Sequence, residues 1–324
     1  MLVYADYGVG KTFLAGTAAD IPELRDVLCI NAEGGDLTLT DPSHAFDKID
    51  FIRCTNYALV ARSYEFLKLH CQLRDQNDVD KLRQLESRFT GVPEEEIEEP
   101  KRYYTVIVDS LAEVESFNMS AILGVRDNVR LDSEVQAAEW AEYKKNHTMI
   151  QRLVRSFRDL PMHVIFTCPR QYTQDENKRF VFAPQLTGKL SNQVQGFMDV
   201  VGFLVLKSVE EEGKTERRLW VQPAGRFAAK CRFSTYKKAY FDNPTLPSIV
   251  AAVGLLGPVA KQRADAEQRR LEVAALQSKG KKPKEADAGS TDAAALTPEQ
   301  LKAAEAEALA EAEKNLTEEP SGED

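Results

Sequence analysis

The chain of 324 residues carries a formal net charge of −9, with 43% hydrophobic and 29% charged residues. That composition describes a globular protein and excludes a wholly disordered one; no apolar run is long enough to cross a bilayer, and the N-terminus lacks the form of a signal peptide. The acidic balance argues against a uniformly basic nucleic-acid binder, but it averages over an acidic tail and leaves room for a local basic surface. Five cysteines (Cys29, Cys54, Cys71, Cys168 and Cys231) form no C-x-x-C pair, and four histidines show no metal-ligand spacing. Buried reduced thiols in a cytosolic protein account for this usage.

The chain opens with Leu2-Val3-Tyr4-Ala5-Asp6-Tyr7-Gly8-Val9-Gly10-Lys11-Thr12, which reads as an apolar strand, a glycine-bearing turn and a helix start. Backbone N–H groups at a helix N-terminus cradle phosphate oxygens, a lysine there reaches the terminal phosphates, and the hydroxyl ligates Mg²⁺. The nucleotide-binding residues are thus expected to be Asp6, Tyr7, Gly8, Val9, Gly10, Lys11, Thr12 and Phe13, with ATP and Mg²⁺ as cofactors. Ala5 stands where the pattern G-x-x-x-x-G-K-[ST] has its first glycine, and alanine is tolerated there only at negative φ. Met1 lies a few residues ahead of the loop, so either the domain is minimal at its N-terminus or its start is truncated.

Short apolar runs recur between helical stretches: Val27 to Ile30, Phe51-Ile52, Thr105 to Val108, His163 to Phe166, and Val200 to Leu206. Runs apolar throughout suit strands buried on both faces of a mostly parallel sheet. From Gln136 to Leu160, Trp140, Tyr143, Ile150, Leu153, Val154 and Phe157 recur at helical spacing, as in a helix packed on that sheet. Arg74 to Lys101 is charged, with an acidic cluster, and reads as a solvated insertion. Arg217 to Gln222 alternates as a late strand. The folded domain is expected to span residues 1–258. Residues 259–324 are rich in Ala, Glu and Lys, lack aromatics and end in an acidic tip. Such a segment cannot bury enough apolar surface to offset its ordering entropy, although Thr297 to Asn315 suits local helix.

Two carboxylates stand at strand tips. Asp109, in Val108-Asp109-Ser110, is placed to hold Mg²⁺ through a water, or else caps the following helix. Glu33, in Asn31-Ala32-Glu33-Gly34-Gly35, is placed to orient an attacking water, or is a surface turn residue.

The order of these elements resembles the RecA-like ATPase core, most closely the compact phage AAA-type proteins that include the Sak-type single-strand annealing recombinases. Asn31-Ala32-Glu33 is similar to the family's Asp-Ala-Glu motif, with Asn31 the departure, and Val108-Asp109-Ser110 to its Walker B end. Thr167, after His163 to Phe166, resembles the polar strand tip that senses the γ-phosphate; the alternative is a hydroxyl satisfying a strand end. Two stretches resemble the phage group: Pro184 to Lys189 with Phe197 to Val201, and Gly225 to Phe233. In the latter, Lys230 and Arg232 are similar to the Lys-x-Arg motif that reaches a neighbouring subunit's nucleotide; the alternative is a basic surface hairpin. Arg170, Gln171, Tyr172, Lys178, Arg179 and Phe180 fall where RecA-like loops face single-stranded DNA, unless they form a solvated hairpin with incidental charge.

The resemblance implies an α/β, RecA-like P-loop NTPase with a mostly parallel central sheet flanked by helices and a disordered C-terminal tail. It implies a cytoplasmic ATPase acting on single-stranded DNA, in a host cell if phage-encoded. A homo-oligomeric ring or filament is expected, with a single-stranded DNA-binding protein as a further partner and no membrane. Its catalytic residues would be Lys11, Glu33, Lys230 and Arg232, and its metal-site residues Thr12 and Asp109. A helicase-like or loader motor, and a nucleotide-gated DNA-binding module with little hydrolysis, remain the alternatives.

Overall fold

The computed structural model describes residues 1–125, 137–174, 180–208 and 215–256. Its strands are β1 (Leu2–Ala5), β2 (Val27–Asn31), β3 (Ile49–Arg53), β4 (Thr105–Asp109), β5 (His163–Gln174), β6 (Phe180–Pro184), β7 (Val200–Ser208), β8 (Thr215–Trp220), β9 (Lys230–Cys231) and β10 (Tyr240–Asp242). The helices are α1 (Lys11–Gly16), α2 (Tyr57–Asp75), α3 (Val79–Thr90), α4 (Leu111–Ile122), α5 (Trp140–Arg158), α6 (Leu190–Phe197) and α7 (Leu246–Ala252). The sheet order is β10-β8-β7-β1-β5-β4-β2-β3. Pairing is parallel from β7 through β3 and antiparallel where β8 and β10 extend the other edge.

Alternate residues of the parallel strands enter opposite cores, which is why the runs are apolar throughout. Leu28, Ile30, Val106 and Val108 pack with Leu67 of α2, Leu111 of α4 and Val154 of α5. Val27, Cys29 and Ile107 face the other way, onto Ala15 of α1 and Val250 of α7. All four side chains of β1 are fully buried. The five apolar runs all form strands, and the sheet is mostly parallel and helix-flanked, as expected. Residues 257–324, including the Thr297 to Asn315 stretch, lie outside the described residues.

Two segments differ from expectation. Helix α5 starts at Trp140, fixed by a capping box in which the Glu139 N–H donates to Glu142 Oε2 at 2.9 Å. Its 19 residues span about 28 Å, against about 17 Å for the five residues of β4. Its first turn is left uncovered: Trp140 is 83% and Tyr143 43% exposed, while Ile150, Val154 and Phe157 are fully buried. The stretch from Arg74 to Lys101 is more than solvated charge. It contains α3, buries Leu82, and anchors through Arg74, which donates to the carbonyls of Tyr103 at 2.7 Å and Pro161 at 2.8 Å.

Buried His70 gives this helical layer a pH dependence. Its Nε2 donates to the Lys101 carbonyl at 2.9 Å, whereas Nδ1 is buried without a partner among the described residues. Burial is the main cause that lowers its pKa from 6.5 to about 4. Below pH 6.5 the unfolded chain therefore binds the proton first, and stability falls as pH drops towards the folded value. Urea unfolding at pH 7 and pH 5 should show the wild type losing roughly 2 kcal/mol more than His70→Gln over that step. Equal losses would mean that His70 is already charged in the fold.

Candidate nucleotide-binding site

The turn from β1 into α1 is shaped by Gly8 (φ +75°) and Gly10 (φ +101°), both in the left-handed region that favours glycine. Gly10 precedes α1, and its carbonyl accepts the Leu14 N–H at 2.9 Å. Ala5 is the last residue of β1, paired in parallel register with Pro169. Its φ is not positive, so alanine meets the condition set by the missing first glycine.

Cations surround this turn. Lys11 is 6% exposed; its Nζ donates to the Asp6 carbonyl at 3.0 Å and lies 5.4 Å from the Tyr7 ring centroid. The Asp6 carboxylate pairs with Arg170 Nη2 at 2.5 Å. Arg217, on β8, donates from Nε to the Val9 carbonyl at 2.9 Å, and its guanidinium lies 5.1 Å from the Phe13 ring centroid. A Cβ on Gly10 would stand 2.8 Å from Arg217 Nε, so this close approach also requires glycine. A positively charged helix N-terminus suits an anion.

The other wall is built on Asp109, which is 1% exposed at the tip of β4. Thr12 Oγ1 donates to Asp109 Oδ2 at 2.7 Å, and Thr167 Oγ1 donates to Oδ1. The Asp109 carbonyl accepts the N–H groups of Ala32 at 2.6 Å and Glu33 at 2.9 Å. Asn31 Oδ1 accepts the Gly34 N–H at 2.7 Å, shaping the turn that presents exposed Glu33. A Cβ on Gly35 would lie 3.2 Å from Thr12 Oγ1 and 3.3 Å from Asp109 Oδ2. Among the described residues no cluster of three or more His, Cys, Asp or Glu could hold a metal alone. One hydroxyl and one carboxylate instead suit Mg²⁺, which keeps waters and shares its sphere with substrate phosphates.

Thr12, Thr167 and Asp109 are thus in direct contact, with Glu33 on an adjoining turn. Lys230 and Arg232 stand apart. Strand β9 pairs with Val200 and Val201 at the start of β7, the end of the sheet opposite the phosphate loop. Lys230 Nζ donates to the carbonyls of Gln195 at 3.1 Å and Gly196 at 3.2 Å. Arg232 donates to Gly196 O at 2.6 Å and to Asp199 Oδ1 at 3.0 Å. Both side chains therefore close the C-terminal end of α6, and burial followed by the Arg232 charge lowers the Lys230 pKa.

Beyond Pro169, β5 continues into an antiparallel pair with β6, Arg170 to Gln174 against Phe180 to Pro184. Arg170 stands 4.5 Å from the Phe182 ring centroid and 5.5 Å from that of Tyr172. Tyr172 is 48% and Phe180 60% exposed; Lys178 and Arg179 lie outside the described residues. Two surface cavities, of about 260 and 380 Å³, are lined by no residue of the phosphate loop. Sequence reading missed Arg217, which is 208 positions from the Val9 it touches, because no local pattern links them. Gly35 had a signal in the Gly34-Gly35 doublet.

A family profile described as an AAA domain matches residues 1–233. A search of curated proteins returns no match. Among solved structures, a KaiC-like protein of the archaeon Pyrococcus horikoshii is 13% identical, covering 68% of this chain and 76% of its own, with a TM-score of 0.35. The RadB recombinase is 14% identical over 68% of this chain and 78% of its own, with a TM-score of 0.31. The flagellar accessory protein FlaH of Methanocaldococcus jannaschii is 10% identical over 74% and 82%, with a TM-score of 0.36. The family match spans the phosphate loop, the Asp109 tip and the β5–β6 hairpin alike, and the chain belongs to this AAA domain family.

Proposed function

We propose that the protein is a Mg²⁺-dependent ATPase that acts on single-stranded DNA in phage-type recombination or annealing. The observation that carries the nucleotide reading is the 2.7 Å contact between Thr12 and Asp109. It joins a hydroxyl at a phosphate-binding helix start to a buried carboxylate, the pair that Mg²⁺–nucleotide binding needs. Lys11 would leave the Asp6 carbonyl for the terminal phosphates. Thr12 would hold Mg²⁺ directly and Asp109 through a water, and the bound metal would neutralise charge on the phosphate oxygens. Glu33 would accept a proton from the attacking water as its oxygen bonds to the γ-phosphorus. The bond to the bridging oxygen would then break and ADP leave.

Support for single-stranded DNA comes from the β5–β6 hairpin. Its exposed Tyr172 and Phe180 offer rings on which bases stack, and its Arg170 pairs with Asp6 of the phosphate loop. Assembly into a ring or filament would let Lys230 and Arg232 of one protomer complete its neighbour's site, once they release the α6 carbonyls they hold. A single-stranded DNA-binding protein would be a further partner, and the cytoplasm the expected location.

Lys11→Ala should abolish ATP binding in equilibrium titration while the circular dichroism spectrum stays unchanged; retained affinity would remove the nucleotide site. In Glu33→Gln, ATP should still bind while hydrolysis with single-stranded DNA falls by roughly 10²–10⁴-fold. Wild-type turnover there would make Glu33 a turn residue. Arg232→Ala should bind ATP yet lose turnover, and mixing it with Lys11→Ala should restore part of the activity, since each supplies what the other lacks. No rescue in confirmed mixed assemblies would assign Lys230 and Arg232 to capping α6 alone.

A further inference from the structure

Arg217 is a half-buried cation at the phosphate loop to which the hydrolytic scheme gives no task. Its side chain is held at Val9 as described above, and its main chain is held at both polar atoms. The Arg217 N–H donates to Asn243 Oδ1 at 2.9 Å, and the Asn243 N–H donates to the Arg217 carbonyl at 2.7 Å. Desolvation by burial lowers its pKa and no carboxylate offsets it, but a guanidinium stays charged in any protein. The contacts it makes among the described residues are a carbonyl and a ring.

The sheet order says what passes this residue. Asp109 and Glu33 lie on β4 and after β2, to one side of β1, whereas β7 and β8 lie to the other. Contact between Thr12 and Asp109 places the metal and terminal-phosphate end of a nucleotide on the β4 side. The nucleoside is at the opposite end of the triphosphate from the metal, and the elements on the side of the loop away from Asp109 are β7 and β8. In register, Tyr4 of β1 lies beside Phe203, and Arg217 pairs with Leu206 further along β7. That lifts Arg217 about 10 Å beyond Tyr4 along the strand direction, level with the helix start. Phe13, one residue beyond Thr12, is itself fixed from behind by edge-on contacts with His44 and Phe46 at 5.0 and 5.5 Å. A planar cation beside a held aromatic ring is a surface on which a flat, π-rich group stacks.

We propose that Arg217 and Phe13 form the nucleobase platform of the site, with the guanidinium stacked on the base of the bound nucleotide. This rests on the phosphate-loop reading above and adds the end of the ligand that reading leaves unplaced.

The test separates base from phosphate. Dissociation constants for ATP, and competition constants for inorganic tripolyphosphate against ATP, are measured with Mg²⁺ for wild type, Arg217→Ala, Arg217→Lys and Lys11→Ala. ATP affinity should fall about tenfold or more in Arg217→Ala, by the usual worth of a lost stacking contact, with tripolyphosphate unchanged within twofold. Arg217→Lys keeps the charge but not the flat surface, and should lose ATP affinity in the same sense. Equal loss of both ligands would make Arg217 a brace or phosphate contact, and wild-type ATP affinity in Arg217→Lys would exclude stacking; either result overturns the proposal. Photolabelling of the wild type with 8-azido-ATP gives an independent reading, expected on peptides containing Phe13 or Arg217 and contrary if it maps elsewhere. Persistent ATP binding by Lys11→Ala would instead indict the phosphate-loop reading itself.

Discussion

One carboxylate ties the site together. Asp109 accepts the Thr12 and Thr167 hydroxyls on its two side-chain oxygens, and its carbonyl accepts the N–H groups of Ala32 and Glu33. Three segments of the chain, from β1–α1, the end of β2 and β5, therefore converge on this one residue of β4. At 1% exposure an unpartnered carboxylate would carry a desolvation penalty of several kcal/mol, so the fold itself depends on these contacts. The same geometry that satisfies the buried charge sets a hydroxyl and a carboxylate side by side at a helix N-terminus.

The phosphate loop is held from its other sides by cations. Arg170 and Arg217 approach from β5 and β8 and meet Asp6 and the Val9 carbonyl. Lys11 occupies the Asp6 carbonyl at 3.0 Å, a weak neutral acceptor that a phosphate oxygen would outcompete through a charge-assisted bond. Arg170 joins this loop to the hairpin bearing Tyr172 and Phe180. One ion pair thus stands between the phosphate loop and an exposed aromatic surface.

Local patterns carried much of the fold. Continuous apolar runs such as Thr105 to Val108 became strands because the helices α2, α4 and α5 on one face and α1 and α7 on the other bury both sides. The same logic misread the start of α5. Trp140 and Tyr143 share the helical period of Ile150 and Phe157, but periodicity cannot tell which turns of a helix its neighbours in the fold cover. Between Arg74 and Lys101 the stretch is mostly exposed, as its charge indicates, but the pattern did not reveal α3 or that Arg74 is buried by satisfying two carbonyls.

By itself the sequence determined the phosphate loop, since glycines, lysine and threonine must be neighbours in the chain to wrap a helix N-terminus. It also determined that Asp109 ends one strand and that Glu33 lies in the turn just after another, because each closely follows its apolar run. Tertiary structure alone decided which tips meet, since the crossover order sets β5 between β1 and β4 and brings Thr167 onto Asp109. It also decided that Arg217 belongs at the loop while Lys230 and Arg232 lie at the far end of β7. Pairings that close over more than two hundred residues are set by the packing of the whole sheet, and no local spacing encodes them.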